Sequence, residues 1–201
     1  MAEPSYRRLD VDERRRQLLE RGAELFTSHR YDELSMSRIA AEVGISKSLL
    51  YHYFPSKQAF FEATLGAWAE ELRARTDPDP ALPPVEQLSA SLGAFLALIE
   101  ENSVAYRQLM SSATSTPQIR DLVDQVRHQT AARILAGIYP DGAPAKARVA
   151  VSGWLWFMDG ACLDWLEHGD LDRDELRDLL LGTLMGSLIA SGSPPDLGGA
   201  P

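Results

Sequence analysis

One stretch, Ser35 to Lys57 (SMSRIAAEVGISKSLLYHYFPSK), constrains the fold of this chain more than any other. It encodes two short amphipathic helices joined by a turn at Gly44. Ser35 is a good N-cap, because its hydroxyl can accept a bond from an orphan N–H of the first turn. Met36, Ile39, Ala40 and Val43 follow at helical spacing and form one apolar stripe. Gly44 then breaks the helix, since it tolerates a left-handed backbone. Ile45 packs back into the corner, Ser46 caps again, and a second helix runs from Lys47 to about Phe54. A tight glycine turn between two such helices is the helix-turn-helix arrangement.

On that second helix, at about 100° per residue, Lys47, Ser48, Tyr51 and His52 share an arc of roughly 140°. Leu50 and Phe54 lie on another side, with Tyr53 nearby. One face is therefore apolar, and the other carries a cation, a hydroxyl, a phenol and an imidazole. That mixture suits double-stranded DNA: Lys and Tyr hold phosphates, while short polar groups and ring edges reach bases. A recognition helix of this kind lies in the major groove with its N-terminal residues against the bases. Pro55-Ser56-Lys57 ends this helix and caps the next, and Lys57 is expected to reach a phosphate beside the free N–H donors there. The expected contact set is completed by Ser35, Ser37, Arg38, Ser46, Leu49 and Tyr53. Replacing Lys57 is expected to weaken binding to all sequences alike, whereas changing Ser48 or His52 shifts the preferred base.

The same residues resemble the N-terminal domain of TetR-family transcriptional regulators. The resemblance rests on Glu24-Leu25-Phe26, Tyr31, Ser35, Gly44-Ile45-Ser46 and Leu50-Tyr51-His52-Tyr53-Phe54, followed by Ser56-Lys57, in order and in register over about residues 14 to 65. It implies an all-α chain: an N-terminal three-helix DNA-binding domain and a C-terminal helical domain for ligand binding and dimerisation. The chain departs from the family pattern at several places. Arg30 stands where glycine is frequent; a left-handed backbone there would cost it about 1 kcal/mol or more. Arg21 replaces a usual small residue, and Arg38 stands where an acidic residue is common. Ser48-Leu49 replaces a frequent Gly-Thr pair, so Leu49 can make no base hydrogen bond, though it can still touch a thymine methyl.

The net charge of −9 is at odds with a DNA partner only until the chain is divided. Residues 1–75 carry 12 Lys+Arg and 12 Asp+Glu, whereas residues 76–201 carry 8 and 17. The acidity belongs to the second part, and a basic footprint can be local to one face. Arg7, Arg8, Arg14, Arg15 and Arg16 near the N-terminus read first as a solvated start, with a basic arm along DNA as the alternative. Cys162 is the only cysteine, so no intrachain disulfide forms, which fits a reducing cytoplasm, and no signal or transit signature is seen. Cys162 reads as a buried small apolar residue rather than a redox sensor.

Expected domains are residues 10–56 for DNA binding and 57–192 for regulation and dimerisation, with 57–75 as the connecting helix and 1–9 and 193–201 as tails. TDPDPALPP at 76–84 breaks the chain, because its prolines cannot sit inside a helix. Helices are predicted at about 84–101, 103–112, 117–138, 144–168 and 172–191, and no run alternates with period two. The stretch from Lys146 to Glu167 is apolar almost all round, but Asp159 and Asp164 interrupt a short run and exclude a membrane span. Such a helix is buried on every side. Gly153, Gly160 and Asp164 on it are expected at a dimer interface with Leu180, Gly182, Leu184 and Gly186 of the last helix. The resemblance implies the same four-helix contact, and a two-fold dimer would read a near-palindromic operator.

The resemblance further implies repression, relieved when a small molecule enters the second domain. Trp68, Phe95, Tyr106, Met110, Trp154, Phe157 and Met158 are the candidate lining, suited to a bulky hydrophobic effector. Asp159 and Asp164 could serve a ligand's cationic group or be satisfied by arginine or backbone. No cofactor or metal is expected: His29, His52, His128 and His168 are scattered, and neither a nucleophile motif nor a phosphate-cradling loop is present, so the chain reads as no enzyme. The competing reading, an all-α small-molecule carrier, predicts that Lys47→Ala and Tyr51→Ala change nothing.

Overall fold

The computed structural model describes residues 11–77, 79–192 and 194, and every regular element among them is helical. The expected N-terminal arm at Arg7 and Arg8 and all of the expected C-terminal tail except Pro194 lie outside the described residues. The elements are α1 (Val11–Ser28), a 3-10 turn (Tyr31–Glu33), α2 (Met36–Glu42), α3 (Lys47–Tyr53), α4 (Lys57–Arg75), α5 (Pro84–Glu101), α6 (Ser103–Ser115), α7 (Pro117–Ile138), α8 (Ala145–His168) and α9 (Arg173–Ala190). The chain divides into two compact units between Ala69 and Glu70, within α4.

In the first unit the caps do what their side chains allow. Ser35 Oγ accepts from the Arg38 N–H at 3.3 Å, Ser46 Oγ from Leu49 at 3.2 Å, and Ser56 Oγ from Ala59 at 3.0 Å. Gly44 takes φ +75°, so the α2–α3 turn uses the left-handed backbone that its side-chain-free residue permits. Leu18, Leu25, Leu34, Ile39, Leu50, Phe54 and Phe60 form the core on which α3 lays its apolar side. Arg30 is extended at φ −68°, and no described non-glycine residue has positive φ, so its departure from the family pattern carries no backbone strain. Arg21 is exposed. The small residue that the α1–α4 crossing requires is Gly22: a Cβ there would lie 2.6 Å from Phe60 Cζ and 2.8 Å from Thr64 Oγ1.

In the second unit, α8 packs against α7 and α9, α9 also against α5, and α6 against α7. Pro84 and Pro117 open α5 and α7 at their first turns, where the missing N–H costs nothing. Gly169 ends α8 at φ +63°, and Asp172 with Glu175 forms a reciprocal capping box at the start of α9. Leu176, Leu180, Leu184 and Leu188 on α9 are buried within this one chain, each contributing about 2 kcal/mol. This corrects the assignment of Leu180 and Leu184 to a subunit interface: their stripe is the intrachain core. Among the described residues no helix is long and apolar enough to cross a membrane.

Candidate DNA-binding surface and regulatory core

α3 is held by its buried side and presents the other. Leu50 is fully buried, while Lys47, Ser48, Tyr51 and His52 are exposed together. The Lys47 ammonium lies 6.0 Å from the Tyr51 ring centroid, so cation and phenol occupy one patch. Ser48 Oγ is 3.1 Å from Ser46 Oγ, which ties the first turn of α3 to its cap. His52 meets the half-buried Tyr53 edge to face at 5.4 Å. Tyr53 packs against the core and Leu49 is half-buried, so these two are less available than their neighbours. Ser35, Ser37 and Arg38 are exposed beside α2, with Arg38 4.0 Å from Glu42, and the Ser35 and Ser46 oxygens are engaged as caps. The structure adds Arg15 of α1, whose guanidinium sits 5.5 Å over the Phe54 ring.

Lys57 differs from its sequence assignment. Its ammonium donates to the Tyr31 carbonyl at 2.9 Å and the Leu34 carbonyl at 3.0 Å, and stands 4.0 Å over the Tyr31 ring. A half-buried cation with two carbonyl acceptors and an aromatic face is held by its own domain.

The candidate effector residues of the second unit do not all serve one lining. Trp68 lies on α4 in the first unit. Phe157 is 44% exposed, which removes it from a buried lining. Trp154 is buried, but its indole N–H donates to the Leu180 carbonyl at 2.8 Å, so it serves the α8–α9 contact. Phe95 and Tyr106 do meet, edge to face at 6.3 Å, with Met110 one turn along α6 and Met158 half-buried on α8.

Beside them lies a polar network that local sequence spacing does not reveal. The Tyr106 hydroxyl donates to Asp159 Oδ1 at 3.1 Å, and Arg127 Nε donates to Asp159 Oδ2 at 2.6 Å. Arg127 also reaches Asp124 at 2.5 Å and stacks 3.9 Å over the Trp156 ring. Asp159 is thus satisfied within the chain. Burial pushes its carboxyl above the ordinary range, while Arg127 and the Tyr106 hydroxyl pull it back. Burial, with the nearby Asp159 charge, raises the Cys162 thiol to about 12, which removes it from thiolate chemistry near neutral pH. Asp164 is exposed and 3.6 Å from His168 Nδ1. Among the described residues no group of three or more acidic, His or Cys side chains could hold a metal.

The outer faces of α8 and α9 are apolar and open. Val149, Trp156 and Phe157 on α8, and Leu179 and Ile189 on α9, are 44–64% exposed. Gly153, Gly160, Gly182 and Gly186 lie on the same faces, with no atom within 4 Å of where a Cβ would stand.

Comparison with known proteins agrees with this architecture. Residues 18–64 match the family described as bacterial regulatory proteins, tetR family, and residues 84–187 match the tetracyclin repressor-like C-terminal domain. The chain is 34% identical over 119 residues to the HTH-type transcriptional activator FasR of Mycolicibacterium smegmatis, a match covering 56% of this chain and 52% of that protein. Over 63 residues, it is 40% identical to the nucleoid occlusion factor SlmA of Haemophilus influenzae, covering 31% and 29% of the two chains. The match therefore spans about half of FasR and less of SlmA. A TetR-family transcriptional regulator from Streptomyces coelicolor superposes with a TM-score of 0.77 at 29% identity, over 92% of this chain and 84% of that one. With one family pattern on the helix-turn-helix and a second over more than half of its length, this chain belongs to the TetR family of transcriptional regulators.

Proposed function

We propose that the protein binds a near-palindromic operator as a homodimer, represses transcription from it, and is released by a small hydrophobic effector. The observation that carries this reading is α3, which buries Leu50 while exposing Lys47, Ser48, Tyr51 and His52 on one side. Lys47 and Tyr51 grip phosphates, and Ser48, Leu49 and His52 read base edges and methyls. Ser35, Ser37, Arg38, Ser46 and Tyr53 flank them. DNA binding falls to residues 10–56, backed in the same unit by the start of α4, and regulation and dimerisation to the remainder of 57–192.

The open face of α8 and α9 supports the dimer. A glycine inside a helix costs about 1 kcal/mol against alanine. Four on one exposed apolar surface, without an intrachain neighbour, are explained by close approach of a second copy. The interface we propose is Val149, Gly153, Phe157, Gly160 and Asp164 with Gly182, Gly186 and Ile189. Phe95, Tyr106, Met110 and Met158 are the proposed effector contacts. An effector shifts the protein off DNA only by its preference for the released state.

Selection of bound duplexes from a random pool, at fixed salt, tests the reading. A near-palindromic consensus, abolished by Lys47→Ala and Tyr51→Ala with dimer mass and helicity unchanged, is the expected result. Recovery of no consensus from ligand-free protein would overturn it. FasR is a transcriptional activator, so the sign needs its own measurement: a reporter behind the selected site should fall when the protein is expressed, and a rise would reverse the sign.

A further inference from the structure

Lys57 opens α4, yet its ammonium turns back onto residues 23 and 26 positions earlier. Leu34, one of its two acceptors, immediately precedes Ser35, the N-cap of α2. Tyr31, the other, begins the 3-10 turn and also supplies the ring beneath the charge. We propose that Lys57 is a positioning residue for base reading, pinning the connector between α1 and α2 so that the helix-turn-helix is presented at one angle. This rests on the reading of α3 as the recognition helix.

The pin sits in a block with little room to adjust. The Phe61 ring meets Tyr31 edge-on at 5.0 Å and Phe26 at 4.5 Å. Phe60 is fully buried against the bare backbone of Gly22. The first turns of α4, the α1 helix and the connector therefore hold one another, and the Lys57 ammonium joins the block to the residue from which α2 departs. Base readout demands a fixed approach, whereas nonspecific binding is an electrostatic term that carries no sequence information. Removing the pin damages the first far more than the second. A lysine engaged by phosphate behaves oppositely: when it is replaced, both specific and nonspecific binding weaken, and the slope of log affinity against log salt falls by about 0.9 for each phosphate no longer neutralised.

The experiment measures affinity of the full chain for the selected site and for a shuffled duplex across a salt series, well below the melting temperature. Lys57→Met keeps the stem and removes the donors and charge. Its ratio of specific to nonspecific affinity should fall by about tenfold, the scale of one mismatched base pair, with the salt slope unchanged. A slope reduced by about 0.9 per subunit, about 1.8 for the dimer, with both affinities falling together, would show a phosphate ligand and overturn the proposal. An unchanged ratio with only a lower melting temperature would show a merely structural tie and overturn it too. Should Lys57→Met fail to fold, Tyr31→Leu decides by the same readouts, since it weakens the pin and leaves the charge in place. A wild type without sequence preference refutes the α3 reading itself, before any variant is compared.

Discussion

Arg127 carries the heaviest single-residue burden in the second unit, because it neutralises the buried carboxylate of Asp159. Arg127→Met leaves that charge with the Tyr106 hydroxyl alone and should lower stability by up to about 3–5 kcal/mol. The deficit should depend on pH. Burial already holds the folded pKa of Asp159 above its ordinary value, and removing the cation raises it further. A raised folded pKa favours folding at low pH and loses that advantage as pH rises through it. The variant's deficit should therefore widen as pH rises above the ordinary carboxylate range, as read by urea denaturation. A pH-independent deficit would argue against this account. The Asp159–Arg127 pair spans 32 residues and the Asp159–Tyr106 bond 53, so neither is visible in helical periodicity. The role of Lys57 is hidden for the same reason: its residue type fits a phosphate, and only the fold reveals two carbonyls waiting for it. Capping at Ser35, Ser46 and Ser56, by contrast, is a contact between near neighbours, and those residues are legible directly.

At the scale of elements, the helices of the second unit follow the punctuation in the sequence. Prolines start α5 and α7, Gly169 stops α8, and the Asp172–Glu175 box starts α9. What the sequence hides is which way α8 and α9 face. An apolar circumference gives α8 no preferred angle, and the leucines of α9 lie on more than one side, so helical spacing leaves Phe157, Leu180 and Leu184 assignable to either side; the fold turns Phe157 outward and Leu180 and Leu184 inward. The two sides of α9 make separable predictions. Gly186→Leu fills open space on the exposed side and should yield a folded monomer with weakened operator binding, as measured by sedimentation. Leu184→Ala empties a buried site and should cost about 2–5 kcal/mol in denaturation, without directly altering the exposed face. Retention of full dimer mass by Gly186→Leu would remove this face from the interface.

At the scale of the whole molecule, the division of charge is as sharp as the division of structure. Residues 1–69 carry ten basic and ten acidic side chains, and the whole net charge of −9 falls on residues 70–201. Replacing exposed acids far from α3 in sequence, as in Glu167→Gln with Asp170→Asn, should raise nonspecific DNA affinity at low salt. The increase should vanish at high salt, with the selected consensus unchanged. A shifted consensus would mean that these acids bear on base reading. Because residues 1–69 are neutral and residues 70–201 are anionic, a DNA duplex repels the second part of the chain and not the first before any atom touches. That repulsion fades beyond about a Debye length, so the salt concentration sets how strongly the acidic part of the chain disfavours unproductive encounters with DNA.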